Sequence, residues 1–285
     1  MILLVDLDGV VYRGKDPVPG VAALLTERAG RGDAIVYVTN NSMHYRADYV
    51  DRLAGMGAPV TADRVVSSPR ATALYLQEQH PGVRRALTIG ASGLERELAD
   101  VGIAVVTAND AGARMVADGI DGFTAAGRPQ AVVVGLDPGL TFMRLAAAAD
   151  CIRAGAMFVA TNRDPLYPTE RGLQPGAGAI VAAVEVASGA SPLVIGKPQP
   201  LLLETAAHAG GGAIDDAVMI GDSLVSDIAA ARAVGCRSIL ILTGVTTRAQ
   251  ADAAPAEQGP TWVVADAGEL RTLLDRLAAE GPTPA

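Results

Sequence analysis

The strongest constraint on this chain is a rhythm. Short apolar runs rich in Val and Ile recur between stretches of helical pattern, and several of them stop abruptly on polar residues. The runs are Ile2–Val5, Ala34–Val38, Arg64–Val66, Ala86–Ile89, Ala131–Val134, Met157–Ala160, Ala217–Ile220 and Ser238–Leu242. A strand without polar alternation is buried on both faces, which is the mark of a parallel sheet covered by helices. Helices fit the intervals. Ser92 and Glu95 have capping-box spacing, and Asp266 and Glu269 precede the stripe Leu270, Leu273, Leu274, Leu277. The alternation predicts an α/β architecture. Half of the 285 residues are hydrophobic, enough for a sizeable core, but the strands are too many for one compact sheet and point to two α/β units.

The chemistry lies where the runs end. Ile2–Val5 stops at Asp6, followed by Leu7, Asp8 and Gly9. Ala34–Val38 stops at Thr39, Asn40, Asn41. Leu193–Ile195 leads to Gly196, Lys197 and Pro198, and Ala217–Ile220 to Gly221 and Asp222, with Asp227 five residues on. Ligands of an open parallel sheet bind beyond the carboxyl ends of its strands, so these distant segments can converge. Taken singly, each is bland: an Asp after a strand is commonly a turn or cap residue, and a Lys before Pro a solvated charge. In order, each behind a buried run, they form a set of carboxylates, a hydroxyl, amides and one ammonium.

Several carboxylates at one place repel one another unless a cation sits among them. Oxygen-only donors without His or Cys select a hard ion such as Mg²⁺, which binds phosphate oxygens readily. Thr39 and the N–H groups beyond it can donate to phosphoryl oxygens, and Lys197 can neutralise charge on nucleophile and substrate together. Gly9 lets the chain bend sharply after Asp8, so that one carboxylate of the Asp6/Asp8 pair can attack phosphorus while the other moves a proton.

Composition excludes other classes. A net charge of −8 offers nothing to nucleic acid or an anionic membrane. His44, His80 and His208 lack zinc-ligand spacing, and Cys151 and Cys236 read as packed, reduced thiols. The opening MILLVDLDG has no positive n-region or cleavage signature, and no apolar run approaches the roughly 20 residues needed to span a bilayer. The expectation is a soluble, cytoplasmic protein.

With these residues in hand, the chain resembles the haloacid dehalogenase superfamily over roughly residues 1 to 245. Asp6-Leu7-Asp8-Gly9 is similar to its first motif, Thr39 to its second, Lys197 to its third and Gly221-Asp222…Asp227 to its fourth. Asp8-Gly9-Val10…Gly14, Thr39-Asn40-Asn41-Ser42 and Gly196-Lys197-Pro198 resemble the branch that holds p-nitrophenyl, phosphoglycolate and pyridoxal phosphatases. The resemblance implies a Rossmann-like core over residues 1–81 and 192–285, with an α/β cap domain inserted over 82–191. It implies Asp6 as nucleophile and Mg²⁺ ligand, and Asp8 as general acid, then base, that binds the metal through its carbonyl oxygen. It further implies Asp222 as third metal ligand, Thr39 and Lys197 on the phosphoryl group, Gly9, Asn40 and Asn41 beside the substrate, and Asp227 orienting Lys197 or a metal-bound water. Ser226 stands where the branch often has Thr. In the cap, Asn162-Arg163-Asp164 looks like the substrate-facing loop, with Arg163 reading an anionic group and Asn162 and Asp164 bonding hydroxyls. An ordinary surface turn fits the same residues.

The expected activity is Mg²⁺-dependent hydrolysis of a small phosphorylated metabolite, such as phosphoglycolate, glycerol 3-phosphate, pyridoxal phosphate or a sugar phosphate, through an aspartyl phosphate. Dehalogenation is disfavoured because Asp8 is present. A phosphomutase, which must shield the intermediate from water, and a non-enzymatic phospho-acceptor or binding module are the alternatives. Relatives often form a homodimer through the cap, which these residues neither require nor forbid.

Overall fold

A computed structural model describes residues 1–114, 117, 128–169 and 172–280. In chain order the strands are β1 (Ile2–Asp6), β2 (Tyr12–Arg13), β3 (Asp16–Pro17), β4 (Ala34–Thr39), β5 (Val65–Ser67), β6 (Arg85–Ile89), β7 (Ala104–Thr107), β8 (Ala131–Val134), β9 (Met157–Ala160), β10 (Leu166–Thr169), β11 (Gly172–Pro175), β12 (Leu193–Val194), β13 (Ala217–Gly221), β14 (Arg237–Ile241) and β15 (Trp262–Val264). The α/β class expected from the sequence is the class observed.

The chain divides into two compact units. The first comprises residues 1–39, 47–66 and 197–285. Its sheet has the order β15-β14-β13-β1-β4-β5. Strand β1 pairs in parallel with β13 and β4, and β13, β14 and β15 continue in parallel. Every residue of β1 is buried, so its apolar side chains serve both faces. On one face Leu3, Val5, Ile35, Tyr37, Val218, Ile220, Ile239 and Ile241 pack with Leu24 and Leu25 of helix Val21–Gly30 and with Leu270, Leu273, Leu274 and Leu277 of helix Ala267–Glu280. Helix Leu201–Ala209 packs on β1 and β4. Each such side chain contributes on the order of 1.5–3 kcal/mol by leaving water. The expected stripe of the last helix is buried as read, and Asp266 Oδ1 accepts the N–H groups of Gly268 and Glu269 at 2.8 and 3.1 Å.

The second unit comprises residues 40–46 and 67–196. Its five-stranded sheet runs β12-β9-β8-β6-β7, parallel throughout. Leu87, Ile89, Val132, Val134, Phe158 and Ala160 present one face to helices Phe142–Arg153 and Ala177–Ser188. Cys151 lies in that core, and both cysteines are buried and unbridged.

The compact units differ in extent from the domains read at 82 and 191. Residues 40–46, 67–81 and 192–196 group with the second unit, because Ser42 Oγ accepts the Leu136 N–H at 2.9 Å, helix Ser68–Gln79 packs on helix Ser92–Asp100 and Gly196 donates its N–H to the Thr161 carbonyl at 2.7 Å. A second difference concerns the helix at Ser92. Ala91 is its N-cap and Ser92 already lies in the helix, with no side-chain cap bond. Among the described residues, no helix is long and apolar enough to cross a membrane.

Candidate active site

Register brings three strand ends to one level. Val5 lies opposite Ile220 and Asp6 opposite Val38, so Asp6, Thr39 and Asp222 leave the sheet from adjacent strands. All three are buried. Asp6 is the last residue of β1, held in the ladder with β4 and directly after Val5, which is paired on both sides, rather than in a loop.

Lys197 Nζ donates to Asp6 Oδ1 at 2.5 Å and to Asp227 Oδ1 at 2.7 Å. Asp6, Asp222 and Asp227 each offer a carboxylate oxygen, and these oxygens lie within 4.8 Å of one another. Asp227 is turned back toward the strand end by a short π-helical turn, Leu224–Ile228, whose N-cap Ser223 accepts the N–H of Ser226. Its second oxygen accepts the N–H groups of Asp222 and Ser223, both at 3.1 Å. One carboxylate therefore fixes both the ammonium and the backbone that carries Asp222. Gly221 makes this possible, since a Cβ there would collide with the Asp227 side chain.

The electrostatics are those of an acidic site closed on itself. Burial raises the pKa of Asp6 well above the usual carboxylate value; Lys197 offsets part of this, while Asp227 and Asp222 add to it. Burial and the charge of Asp227 push Asp222 up to about 7, against the N–H of Val245 that donates to its Oδ2 at 2.6 Å. Burial opposes the charge of Lys197, but Asp227 and Asp6 outweigh it and hold its pKa above the ordinary lysine value. Two buried acids that resist ionising beside one another are a site in want of a second positive charge. The donors are all oxygen, which fits a hard divalent cation such as Mg²⁺. Because both oxygens of Asp227 are engaged as described, Asp6 and Asp222 are the carboxylates that fit as ligands.

The other residues singled out in the sequence divide. Asp8 is exposed and stands outside the carboxylate cluster. It sits in a tight turn in which the Leu7 carbonyl accepts from Val11 at 2.9 Å and the Gly9 N–H donates to the Tyr12 carbonyl at 2.7 Å. Gly9 has φ +86°, and a Cβ on it would run into Asp222 Oδ2. Asn40, Asn41, Asn162, Arg163 and Asp164 all belong to the second unit. Asn41 Oδ1 accepts the Met43 N–H at 2.9 Å. Asn40 Nδ2 donates to both oxygens of Asp164 at 3.1 Å, and Asn162 Nδ2 donates to the Asn40 carbonyl at 2.7 Å. Arg163 is exposed and bonds Glu185 through two nitrogens, at 3.0 and 2.6 Å.

The loop after β14 went unread in the sequence. Thr243 Oγ1 donates to the Gly9 carbonyl at 2.7 Å, Val245 donates to Asp222 as above, and Thr246 donates its N–H to the Asp222 carbonyl at 3.2 Å. Thr246 Oγ1 accepts the Leu224 N–H at 3.3 Å. Gly244 leaves the room that the Asp222 carboxylate occupies. The signal was available: Ser238–Leu242 also stops on polar and small residues, Thr243-Gly244.

Residues 3–104 match a family model described as haloacid dehalogenase-like hydrolase, and residues 194–270 match a second, HAD-hydrolase-like model. The chain is 37% identical over 284 residues to a D-glycerol 3-phosphate phosphatase of Mycobacterium tuberculosis, covering 99% of this chain and 74% of that one. It is 33% identical over 273 residues to an acid sugar phosphatase of Staphylococcus saprophyticus, covering 96% and 97%. Among solved structures, p-nitrophenyl phosphatase from Archaeoglobus fulgidus superposes with a TM-score of 0.82 at 28% identity, covering 95% and 98%. The M. tuberculosis glycerol phosphate phosphatase in complex with magnesium does so with 0.81 at 37%, covering 94% and 75%.

Proposed function

Because the chain belongs to the haloacid dehalogenase-like hydrolases, we propose that it hydrolyses a small phosphomonoester with Asp6 as nucleophile. The protein is a Mg²⁺-dependent phosphatase, a phosphoric monoester hydrolase. The observation that carries the assignment of roles is Lys197 Nζ bridging Asp6 and Asp227 beside Asp222, at the end of the central strand.

Each group has a task its surroundings suit. Lys197, kept protonated by two carboxylates, favours the ionised form of Asp6 against its burial and offsets phosphoryl charge as it develops. An Asp6 carboxylate oxygen attacks phosphorus, the bond to the leaving oxygen breaks, and an aspartyl phosphate forms. Asp8 gives its proton to the leaving oxygen, then takes one from the water that attacks the aspartyl phosphate and releases phosphate. Exposure beside the strand end suits Asp8 to exchange protons with incoming water. Thr39 donates to a phosphoryl oxygen, as do the N–H groups that follow it. Asp6, Asp222 and the carbonyl of Asp8 would hold Mg²⁺, which supplies Lewis-acid stabilisation of the phosphoryl oxygens when bound. Asp227 keeps Lys197 and the Asp222 backbone in register.

The substrate we infer is a polyol or sugar phosphate. Support comes from the glycerol 3-phosphate and acid sugar phosphatases to which the chain is 37% and 33% identical. Residues 82–191 are the proposed cap, and a cytoplasmic, cap-paired homodimer is the proposed assembly. Phosphate release from a panel of phosphomonoesters, ranked by kcat/KM with and without a chelator, tests the reading. Asp6→Asn should abolish release with unchanged circular dichroism; turnover at the wild-type rate in that variant refutes the mechanism.

A further inference from the structure

Thr39 and Lys197 belong to the first compact unit, and the residues bonded to them, Asn40 and Gly196, belong to the second. Those two flanking residues meet. A Cβ on Gly196 would lie 2.6 Å from Asn40 Oδ1 and 2.6 Å from the Thr161 carbonyl, so the position accepts only glycine. Asn40 is gripped from several sides. Its carbonyl accepts from Asn162 Nδ2 and from Ser68 Oγ, each at 2.7 Å. Its side chain donates to both oxygens of Asp164 at 3.1 Å. Asn162 Oδ1 in turn accepts the Asp164 N–H at 3.1 Å, which locks the two gripping residues together. Asn162 and Asn40 are 3% and 8% exposed, so the bonds to the Asn40 carbonyl are made away from water, with Asp164 half-buried beside them. A charged acceptor in such a place strengthens the bond, and a donor left without its partner there is costly.

We propose that Asn162 and Asp164 are positioning residues of the phosphatase reaction. They fix Asn40, and through one peptide bond they fix the backbone of Thr39; Gly196, which precedes Lys197, is bonded to the Thr161 carbonyl and only abuts Asn40. The proposal rests on the reading above. It differs from the expectation that Asn162 and Asp164 bond substrate hydroxyls, because both side chains are turned onto Asn40. The rest of the segment supports the same role. Ser42 Oγ accepts the Leu136 N–H at 2.9 Å, Tyr45 donates to Asp100 at 2.6 Å and Arg46 pairs with the buried Glu97, so the stretch that carries Asn40 is anchored along its length.

The two roles separate with two substrates, p-nitrophenyl phosphate, whose leaving group has no hydroxyl to bond, and glycerol 3-phosphate, whose leaving group has them. Wild type, Asp164→Ala, Asp164→Asn and Asn162→Ala are assayed with Mg²⁺, with kcat expressed per folded molecule from circular dichroism at the assay temperature. A misplacement approaching 1 Å costs about 10²-fold, so Asp164→Ala should lose about 10- to 100-fold in kcat on both substrates by the same factor, with KM within about twofold. Asp164→Asn, which keeps one acceptor oxygen, should recover part of the loss. A loss confined to glycerol 3-phosphate and expressed in KM overturns the proposal in favour of substrate contact. Unchanged kcat on both substrates also overturns it. Should Asp164→Ala not fold, Asp164→Asn and Asn162→Ala decide by the same criteria. A wild type inactive on both substrates removes the phosphatase reading and this inference with it, whereas an active wild type with unaffected variants removes the inference alone.

Discussion

Raising the pH of the metal-free protein should weaken it through Asp222. In the folded state this acid keeps its proton up to about 7, whereas its ordinary value is 3.8. Between those values the folded chain binds more protons than the unfolded one, so the contribution to stability is fully present below about pH 4 and is lost as pH rises through about 7. At about 1.4 kcal/mol per pH unit, the interval amounts to about 4 kcal/mol. Asp6, also shifted upward, acts in the same direction. Asn at position 222 has nothing to ionise, and a bound divalent cation stabilises the ionised acids and displaces their protons. Urea unfolding of wild type and Asp222→Asn at pH 5, 6, 7 and 8, in chelator and in Mg²⁺, measures this directly. In chelator, Asp222→Asn should gain on wild type as pH rises; in Mg²⁺ the order should reverse. Calorimetry in two buffers of different ionisation heat should show protons released on metal binding below pH 7. A stability gap independent of pH in chelator would refute the reasoning, since it would mean that Asp222 is ionised and satisfied without a metal.

Lys197→Met leaves Asp6 and Asp227 buried without their shared ammonium, which should cost about 3–5 kcal/mol at pH 8 by urea unfolding in chelator, along with nearly all turnover. Gly244→Ala puts a methyl where the Asp222 carboxylate lies. Rotating the carboxylate aside does not clear the Asp222 Cβ, 2.5 Å from the added methyl, so the backbone must shift as well: Mg²⁺ titration should show affinity down by about tenfold or more, and Tm in chelator should fall too.

Physical reasons separate what could be read from the sequence and what could not. Central strands such as β1, β9 and β13 were legible within a residue, because unbroken apolar runs admit few other placements. The edge strands β7 and β15 were not, since Ala104 is exposed and its run ends on Thr107, while Trp262 is half-buried and its run is only three residues long. Asp6, Asp222, Asp227 and Lys197 were each visible as polar residues that end or follow buried runs, and they lie together. What spacing could not supply was which partners the others choose. Asn162 and Asp164 carry the same side chains whether they bond a substrate or Asn40, and only the packing of residues 40–46 against the second sheet decides between them. Of the Thr243–Thr246 loop, the N–H groups of Val245 and Thr246 leave no mark in residue type, whereas the hydroxyls of Thr243 and Thr246 and the small Gly244 do, as the polar stop after Ser238–Leu242.

Strand β1 runs between β4 and β13, with ladders on both edges and helices over its faces. Amides in such a strand exchange with solvent only when the whole fold opens. The proposed nucleophile, Asp6, therefore rides on the last part of the molecule to come apart. Partial opening of the second unit or of surface loops should slow turnover without dispersing the acidic cluster, and activity should be recoverable after any excursion short of complete unfolding.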